Sequence, residues 1–293
     1  MIGKLMACAL PAALLAAALA AAAPSPVRAS DAFPKATRAG PPRFDEQDRL
    51  AEAVANPARA AENRARDPWR HPAESLAFWG LRPGDNIIEL SPGGGYWTEI
   101  LAPFAEATGG SFVGTGADLD DPATPERARK ARADYADRYK VKTAGLGKLS
   151  GPLAPAGSVD FILTGRNIHN WVWQGSLDKI LADAYAALKP GGVLAVEEHR
   201  ADPRPMVKDA EDGYMSEAYV IAAVEKAGFR LDARSEVNAN PKDSKDHPFG
   251  VWTLPPVRQS APRGQPDDPR FDRSRYEAIG ESDRMTLRFR KPA

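Results

Sequence analysis

The sequence predicts an α/β, Rossmann-like fold. Its doubly wound, mostly parallel sheet carries an antiparallel C-terminal edge strand and is preceded by an N-terminal helical extension. Three observations carry this. From Ile87 onward, short apolar runs alternate with helix-forming segments, the pattern of a parallel sheet covered on both faces. The run Asn86-Ile87-Ile88-Glu89-Leu90-Ser91-Pro92-Gly93-Gly94-Gly95-Tyr96-Trp97-Thr98 leads an apolar strand through a glycine-rich turn directly into a helix. Near the C-terminus, Phe229 to Val237 and Arg284 to Arg290 alternate apolar with polar residues, as an antiparallel edge pair does.

In chain order, Asp45 to Ala55 and Ala58 to Arg66 read as short helices divided by Asn56-Pro57, because proline cannot continue the first. Asp67 to Pro72 reads as a turn, and Pro72 suits the first position of a helix running to Trp79. Ile87 to Leu90 is the first strand and Tyr96 to Phe104 its helix; Ser111 to Thr115 is the second strand. A charged helix runs from Thr124 to about Lys140, followed by a weak strand at Val141 to Thr143 and a strong one at Val159 to Thr164. Ser176 reads as the cap of a helix that stops at Lys189-Pro190-Gly191-Gly192. Val193 to Glu197 is the fifth strand, and Ser216 to Ala227 is a helix stopped by Gly228. The proline- and charge-rich stretch 238–283 lacks clear periodicity, and its length is unusual for a structureless loop. It reads as a cover over a site or a mobile insertion.

The domain organisation follows from composition. Lys4, the Ala/Leu-rich run Leu5 to Ala23, and small residues at Val27 and Ala29 form a signal peptide over 1–29, with cleavage predicted after Ala29. The mature protein is therefore expected in the periplasm or secreted, without stable membrane insertion. A Pro/Ala-rich disordered lead-in occupies 30–44, the helical extension 45–71, and the α/β domain 72–293. Cys8 is the only cysteine and leaves with the leader, which excludes a disulfide, a thiolate nucleophile and a Cys-based metal site in the mature chain. The 39 basic and 39 acidic side chains cancel, and no basic stripe is present, so nucleic acid is not an expected partner. His71, His169, His199 and His247 show no metal-ligand spacing, so no metal site is expected.

The glycine turn carries the chemistry. Glycines let the backbone approach a ligand closely, and the helix that follows presents free N–H groups to it. A nucleotide-like molecule at the carboxyl end of a parallel sheet fits this arrangement. Gly93-x-Gly95-x-x-Thr98 lacks the third glycine of the dinucleotide fingerprint, which argues against a nicotinamide-dependent oxidoreductase.

Four segments resemble the class I S-adenosylmethionine-dependent methyltransferases, and more closely a family of exported bacterial predicted methyltransferases. They are His71-Pro72-Ala73-Glu74 with Glu89 to Tyr96; Asn167-Ile168-His169-Asn170; Leu188-Lys189-Pro190-Gly191-Gly192; and Glu225 to Phe229 with the closing strand Leu287 to Pro292. The resemblance implies S-adenosylmethionine as cofactor, bound by Glu89, Ser91, Gly93, Gly95, Tyr96 and Asp118. Ser91 stands where the family's first glycine is expected, and Gly116 where an acid would hold the ribose. Asp118, two residues on, is the substitute. The Gly145 to Lys148 segment offers the adenine no carboxylate.

The resemblance further implies a small-molecule methyl acceptor. Methyl transfer from a sulfonium is mainly a problem of alignment, and a general base is needed only where the acceptor must lose a proton. His169 and Asn167, after the fourth strand, and Tyr214, ahead of the Ser216 helix, are the candidate catalytic residues. Glu198 and His199 follow the fifth strand, and His199 reads as a supporting or surface residue. Trp97, Trp171 and Trp173 could face a sulfonium, and Asp67, Arg70 and His71 could form an N-terminal lid. The competing reading is a methyltransferase fold that binds a ligand or partner without catalysis. The acceptor and the oligomeric state are not legible in the sequence.

Overall fold

Ile87 and Ile88 are adjacent in one strand, so their side chains point to opposite faces, and both faces require cover. The computed structural model describes residues 44–293, with side chains from Asp48. The expected signal peptide, cleavage site and lead-in lie outside the described residues, except that Phe44 already begins the first helix.

The N-terminal elements are α1 (Phe44–Ala55), α2 (Ala61–Arg64), α3 (Asp67–Arg70) and α4 (Pro72–Trp79). Next come β1 (Asn86–Leu90), α5 (Thr98–Thr108), β2 (Ser111–Ala117), α6 (Glu126–Tyr139), β3 (Lys142–Leu146) and β4 (Val159–Gly165). They are followed by α7 (Ile168–Gln174), α8 (Leu177–Ala187), β5 (Leu188–His199), α9 (Glu217–Lys226), β6 (Arg230–Ser235), β7 (Pro248–Val251), α10 (Ser274–Ile279) and β8 (Arg284–Arg290). Seven strands form one sheet in the order β3-β2-β1-β4-β5-β8-β6. Neighbours from β3 to β5 are parallel, whereas β8 runs antiparallel to both β5 and β6. The β6–β8 pair thus makes the edge of a mostly parallel Rossmann-like sheet, with β8 one place in.

Strand alternation divides the core in two. Ile88, Leu90, Ile162, Leu194 and Val196 face one cluster, which includes Ile180 and Leu181 of α8 and Val220 and Val224 of α9. Ile87, Phe161, Leu163, Val193 and Ala195 face the other, with Leu50 of α1, Leu76 and Trp79 of α4, and Ile100, Leu101 and Phe104 of α5. Among the described residues, no helix is long and apolar enough to cross a membrane.

Four local expectations are corrected. Asp67–Arg70 is a helical turn rather than an open one; Pro68 sits in its first turn, where a missing N–H costs nothing. Residues after β4 form α7, because Glu198 on β5 accepts the Ile168 and His169 N–H groups (2.6 and 3.3 Å), a tertiary cap no local pattern reveals. Ser176 makes no capping bond, and its buried hydroxyl lacks a partner. β5 starts at Leu188, and its register with β4 shifts around Pro190-Gly191-Gly192.

The 238–283 segment is packed. Asn238 donates to the hydroxyls of Ser75 and Thr286, both at 3.0 Å, and Asn240 to the carbonyls of Ile279 and Glu281 (3.0 and 2.7 Å). At the opposite end of the chain, the buried Trp79 indole N–H donates to the Leu287 carbonyl (3.1 Å), tying α4 to β8. Trp79→Ala removes this bond and a fully buried ring, and is expected to cost about 3–5 kcal/mol. A urea titration followed by circular dichroism checks it, and a midpoint equal to wild type contradicts it.

Candidate functional site

The turn after β1 places three residues at positive φ: Ser91 (51°), Gly93 (55°) and Gly95 (83°). Ser91 is held there by its N–H, which donates to the Thr115 hydroxyl (2.8 Å). Asn167, at the end of β4, clamps the turn from the other side. Its side-chain amide donates to the carbonyls of Leu90 (3.3 Å), Ser91 (3.2 Å) and Gly165 (3.0 Å). A Cβ on Gly95 would run into the Tyr139 hydroxyl, which donates to the Gly94 carbonyl. A Cβ on Gly93 would meet nothing within 4 Å.

That open side of Gly93 belongs to a cavity of about 400 Å³, lined by Ser91, Gly93, Gly116, Arg132, Asn167 and Asn170 among others. Its size suits a small ligand, whose sites typically span ~300–1,000 Å³. A second cavity, about 490 Å³, adjoins it: Asn170 lines both. The second is walled by His169, Trp173, Trp252 and Arg263, and much of its lining comes from the 238–283 segment.

His169 is buried in the first turn of α7, and its Nδ1 lies 2.9 Å from Oε1 of Glu198. Glu198 is fully buried and also accepts the N–H groups of Ile168, His169 and His199. With the carboxylate accepting throughout, Nδ1 of His169 carries its proton, and Nε2 is left to accept one. His199 packs beside it, ring centroids 5.4 Å apart, with Nδ1 on the Ser282 hydroxyl (2.5 Å). Burial first, then repulsion from any proton gained by His169 and from the positive charges of Arg166, Arg284 and Arg70, holds His199 well below the ordinary histidine pKa, so it stays neutral.

Ligand atoms of His169, Glu198 and His199 come within 4.8 Å of one another, a convergence that residue spacing could not show. All of Glu198's lone-pair directions are already engaged, and the arginines around His199 oppose a cation. The arrangement is better suited to orienting an imidazole than to holding a metal.

The cofactor candidates divide. Ser91 and Gly93 line the first cavity; Glu89, Gly95, Tyr96 and Asp118 do not. Asp118 turns back onto its own loop, accepting the Asp120 N–H (3.1 Å), so the Gly116–Ala117 wall offers no carboxylate. The Tyr96 hydroxyl donates to Asp67 (2.7 Å), which also pairs with Arg59. Glu89 is buried and accepts from the Thr98 hydroxyl (2.6 Å) at the start of α5. Among the catalytic candidates, His169 lines the second cavity and Asn167 the first. Tyr214 does neither: its ring is fully buried and its hydroxyl donates to Asp243 at 3.0 Å. It does not close over a pocket, because a buried phenol needs an acceptor and Asp243 supplies one.

Trp171 lines the first cavity and Trp173 the second, while Trp97 packs edge-on against Trp79 and Tyr96. His199 is buried rather than at the surface. Sequence reasoning did not identify Glu198 as the partner of His169, nor Trp252 and Arg263 as cavity residues. Glu198's position at the carboxyl end of an inner strand was the available signal.

No family model matches the chain. Solved structures of similar architecture include three S-adenosylmethionine-dependent methyltransferases. One, from Aquifex aeolicus, is 18% identical, with TM-score 0.47 over 66% of this chain and 93% of that one. Another, from Mesorhizobium loti, is 16% identical, with TM-score 0.43 over 74% and 96%. A TehB-like enzyme from Corynebacterium glutamicum is 15% identical, with TM-score 0.43 over 78% and 97%. At these identities the likeness is one of fold.

Burial raises the Glu89 pKa from 4.5 to about 8, only partly offset by the Thr98 hydrogen bond. A carboxyl with a raised folded pKa contributes stability that is full below its unfolded pKa and is lost as pH rises through the folded one. Wild-type stability is therefore expected to decline between about pH 4.5 and 8 relative to Glu89→Gln, by a few kcal/mol across the window. Denaturation midpoints of both proteins across that window check it; parallel curves contradict it.

Proposed function

We propose that the protein is an S-adenosylmethionine-dependent methyltransferase acting on an acidic-proton-bearing small molecule, such as a hydroxyl compound. It belongs with the exported bacterial enzymes its sequence resembles and works in the periplasm. The observation that carries this reading is the pair of adjoining cavities at the carboxyl ends of β1 and β4. One lies under the glycine turn, and the other is walled by an imidazole backed by a buried carboxylate.

The first cavity fits the cofactor on two counts. Its lining includes Gly93 and Gly147, where backbone is open to close approach, and Ser91, Asn167 and Asn170 supply polar contacts. When bound, S-adenosylmethionine supplies an electrophilic methyl group on a sulfonium leaving group that needs no protonation. Asn167 keeps the glycine turn in shape. Asn170, shared by both cavities, marks the boundary at which donor and acceptor meet. His169 accepts the acceptor's proton at Nε2, while Glu198 fixes the tautomer and stabilises the imidazolium that results. Glu198 acts only through His169 and is a positioning residue.

A second reading, a ligand-binding protein without catalysis, is favoured by one observation: Asp118 does not line the cavity, so the expected ribose carboxylate is absent from its wall.

Calorimetric titration with S-adenosylmethionine and S-adenosylhomocysteine separates the two. Micromolar binding is expected, and Gly93→Val should abolish it, because a β-branched residue is strained at φ 55° and would project into the cavity. In an acceptor screen, His169→Ala should lower kcat roughly 10²–10⁴-fold while leaving the S-adenosylhomocysteine affinity unchanged. No binding to the folded protein, or binding without a methylated product, favours the second reading. A fractionation blot tests the location, and cytosolic retention would remove the export claim.

A further inference from the structure

Eleven buried polar side-chain atoms among the described residues lack a hydrogen-bond partner, and seven of them belong to one cluster. The seven are Nη2 of Arg66, Nη2 of Arg70, Nε of Arg166, Nε of Arg284, Nε1 of Trp97 and both carboxylate oxygens of Glu197. Buried polar groups normally find partners, so such a concentration calls for a cause.

Charge supplies it. Glu281 serves three arginines at once: Arg66 (2.6 Å), Arg70 (3.0 Å) and Arg284 (3.0 Å). Glu197 lies 2.9 Å from Arg284, but outside hydrogen-bonding geometry. Arg166 makes no ion pair within 4 Å with either carboxylate, but lies near enough for its charge to be felt by both and by Arg66, Arg70 and Arg284. Four guanidiniums therefore face two carboxylates, an excess of two positive charges in a region where Arg70 and Arg284 are almost wholly buried. Neighbouring charges reduce this excess without removing it. Asp67 is matched by Arg59, Asp283 by Arg200 and Lys245, and His199 is neutral, while Glu198, the next residue of β5 after Glu197 and so on the opposite face of the sheet, is engaged by four N–H groups of its own. Burial and mutual repulsion push Arg70 down to about 10 and lower Arg66 and Arg166. Uncompensated buried charge is among the costliest features a fold can carry.

We infer that this arginine cluster is a binding site for a small oxyanion, a carboxylate or phosphate group, distinct from the two cavities. Planar guanidiniums with unpaired N–H groups suit the paired oxygens of such a group, and the Trp97 indole adds a further donor. None of the cluster residues lines either cavity. A cofactor with one carboxylate, one ammonium and one sulfonium brings no net negative charge, so it does not balance the excess. The inference holds whether or not methyl transfer occurs.

The test uses the full chain in sodium phosphate against sodium chloride at equal ionic strength. Phosphate should raise the melting temperature saturably in the low millimolar range, by roughly 5 °C, and the rise should add to that produced by S-adenosylhomocysteine. Arg166→Gln should weaken the phosphate response at least tenfold in concentration, whereas Glu197→Gln, which removes a competing carboxylate, should strengthen it. The opposite signs distinguish a local site from a general salt effect. If Arg166→Gln does not fold, the Glu197→Gln arm decides alone. No phosphate-specific rise, an unchanged response in both variants, or loss of the response under saturating S-adenosylhomocysteine would each overturn the inference. The last outcome would assign the charge to the cofactor's own site.

Discussion

The functional half of the molecule depends on where one carboxylate is buried. Glu198 sits at the end of an inner strand, with no solvent to stabilise its charge, and it accepts three backbone N–H groups and one imidazole N–H. Two of those N–H groups are the otherwise unpaired donors at the start of α7, so the carboxylate both caps the helix and meets its positive dipole end. The same four bonds determine the direction of α7, the face it presents and the tautomer of His169. Asn170, Trp171 and Trp173 follow on that helix, and the walls of both cavities are set by its position. An imidazole placed in this way is held by strand and helix rather than by a loop, so its orientation needs no ligand to establish it.

A second buried carboxylate does comparable work at the N-terminal side. Glu281 collects Arg66 and Arg70 from the helical extension and Arg284 from the start of β8, and the Arg284 guanidinium also donates to the Trp69 carbonyl. The extension is thereby bound to the sheet through charge as well as through Leu50 and Trp79. Tyr96 and Trp97 lie beneath it, with the Arg70 guanidinium 4.3 Å above the Tyr96 ring. The start of α5, which shapes the glycine turn, is therefore covered by a charged layer. Glu89 contributes to the same corner as a buried, proton-holding acceptor for Thr98 rather than as a group exposed to a cofactor.

What was legible in the sequence follows a physical rule. The strands β1, β4 and β8 and the helix α4 are specified by local pattern: apolar period, proline at a helix start, glycine at a turn. The glycine turn itself was readable because backbone geometry at positive φ favours glycine at Gly93 and Gly95, whatever partner also crowds Gly95. Features set by distant partners were not readable. α7 exists because of a residue about thirty positions away, the Ser176 cap fails although its sequence context suits one, and Asp118 accepts an N–H of its own loop and does not line the cavity. His169 was found from its place after β4, but Glu198 could be named as its partner only once β4 and β5 were in register.

The second cavity shows why its ligand is the hardest element to read. Its inner wall comes from α7, held by Glu198, whereas its outer wall comes from His247 to Trp252 and Gln259 to Arg263. That outer segment has no periodic pattern, yet it is fastened by buried side chains: Asn238 and Asn240 at one end, and Asp243 between Tyr214 and His247. Loops tolerate change where they are solvated, and here the buried anchors Asn238, Asn240 and Asp243 are separate from Trp252 and Arg263, which face the cavity. Arg263 is the clearest case, its guanidinium 5.1 Å from the rings of both Trp173 and Trp252. Substitution at Arg263 would alter what the cavity accepts without touching either the anchors or His169. The fold and the His169–Glu198 pair can thus stay constant while the outer wall varies. For this architecture, what the second cavity binds has to be sought in the least regular part of the chain.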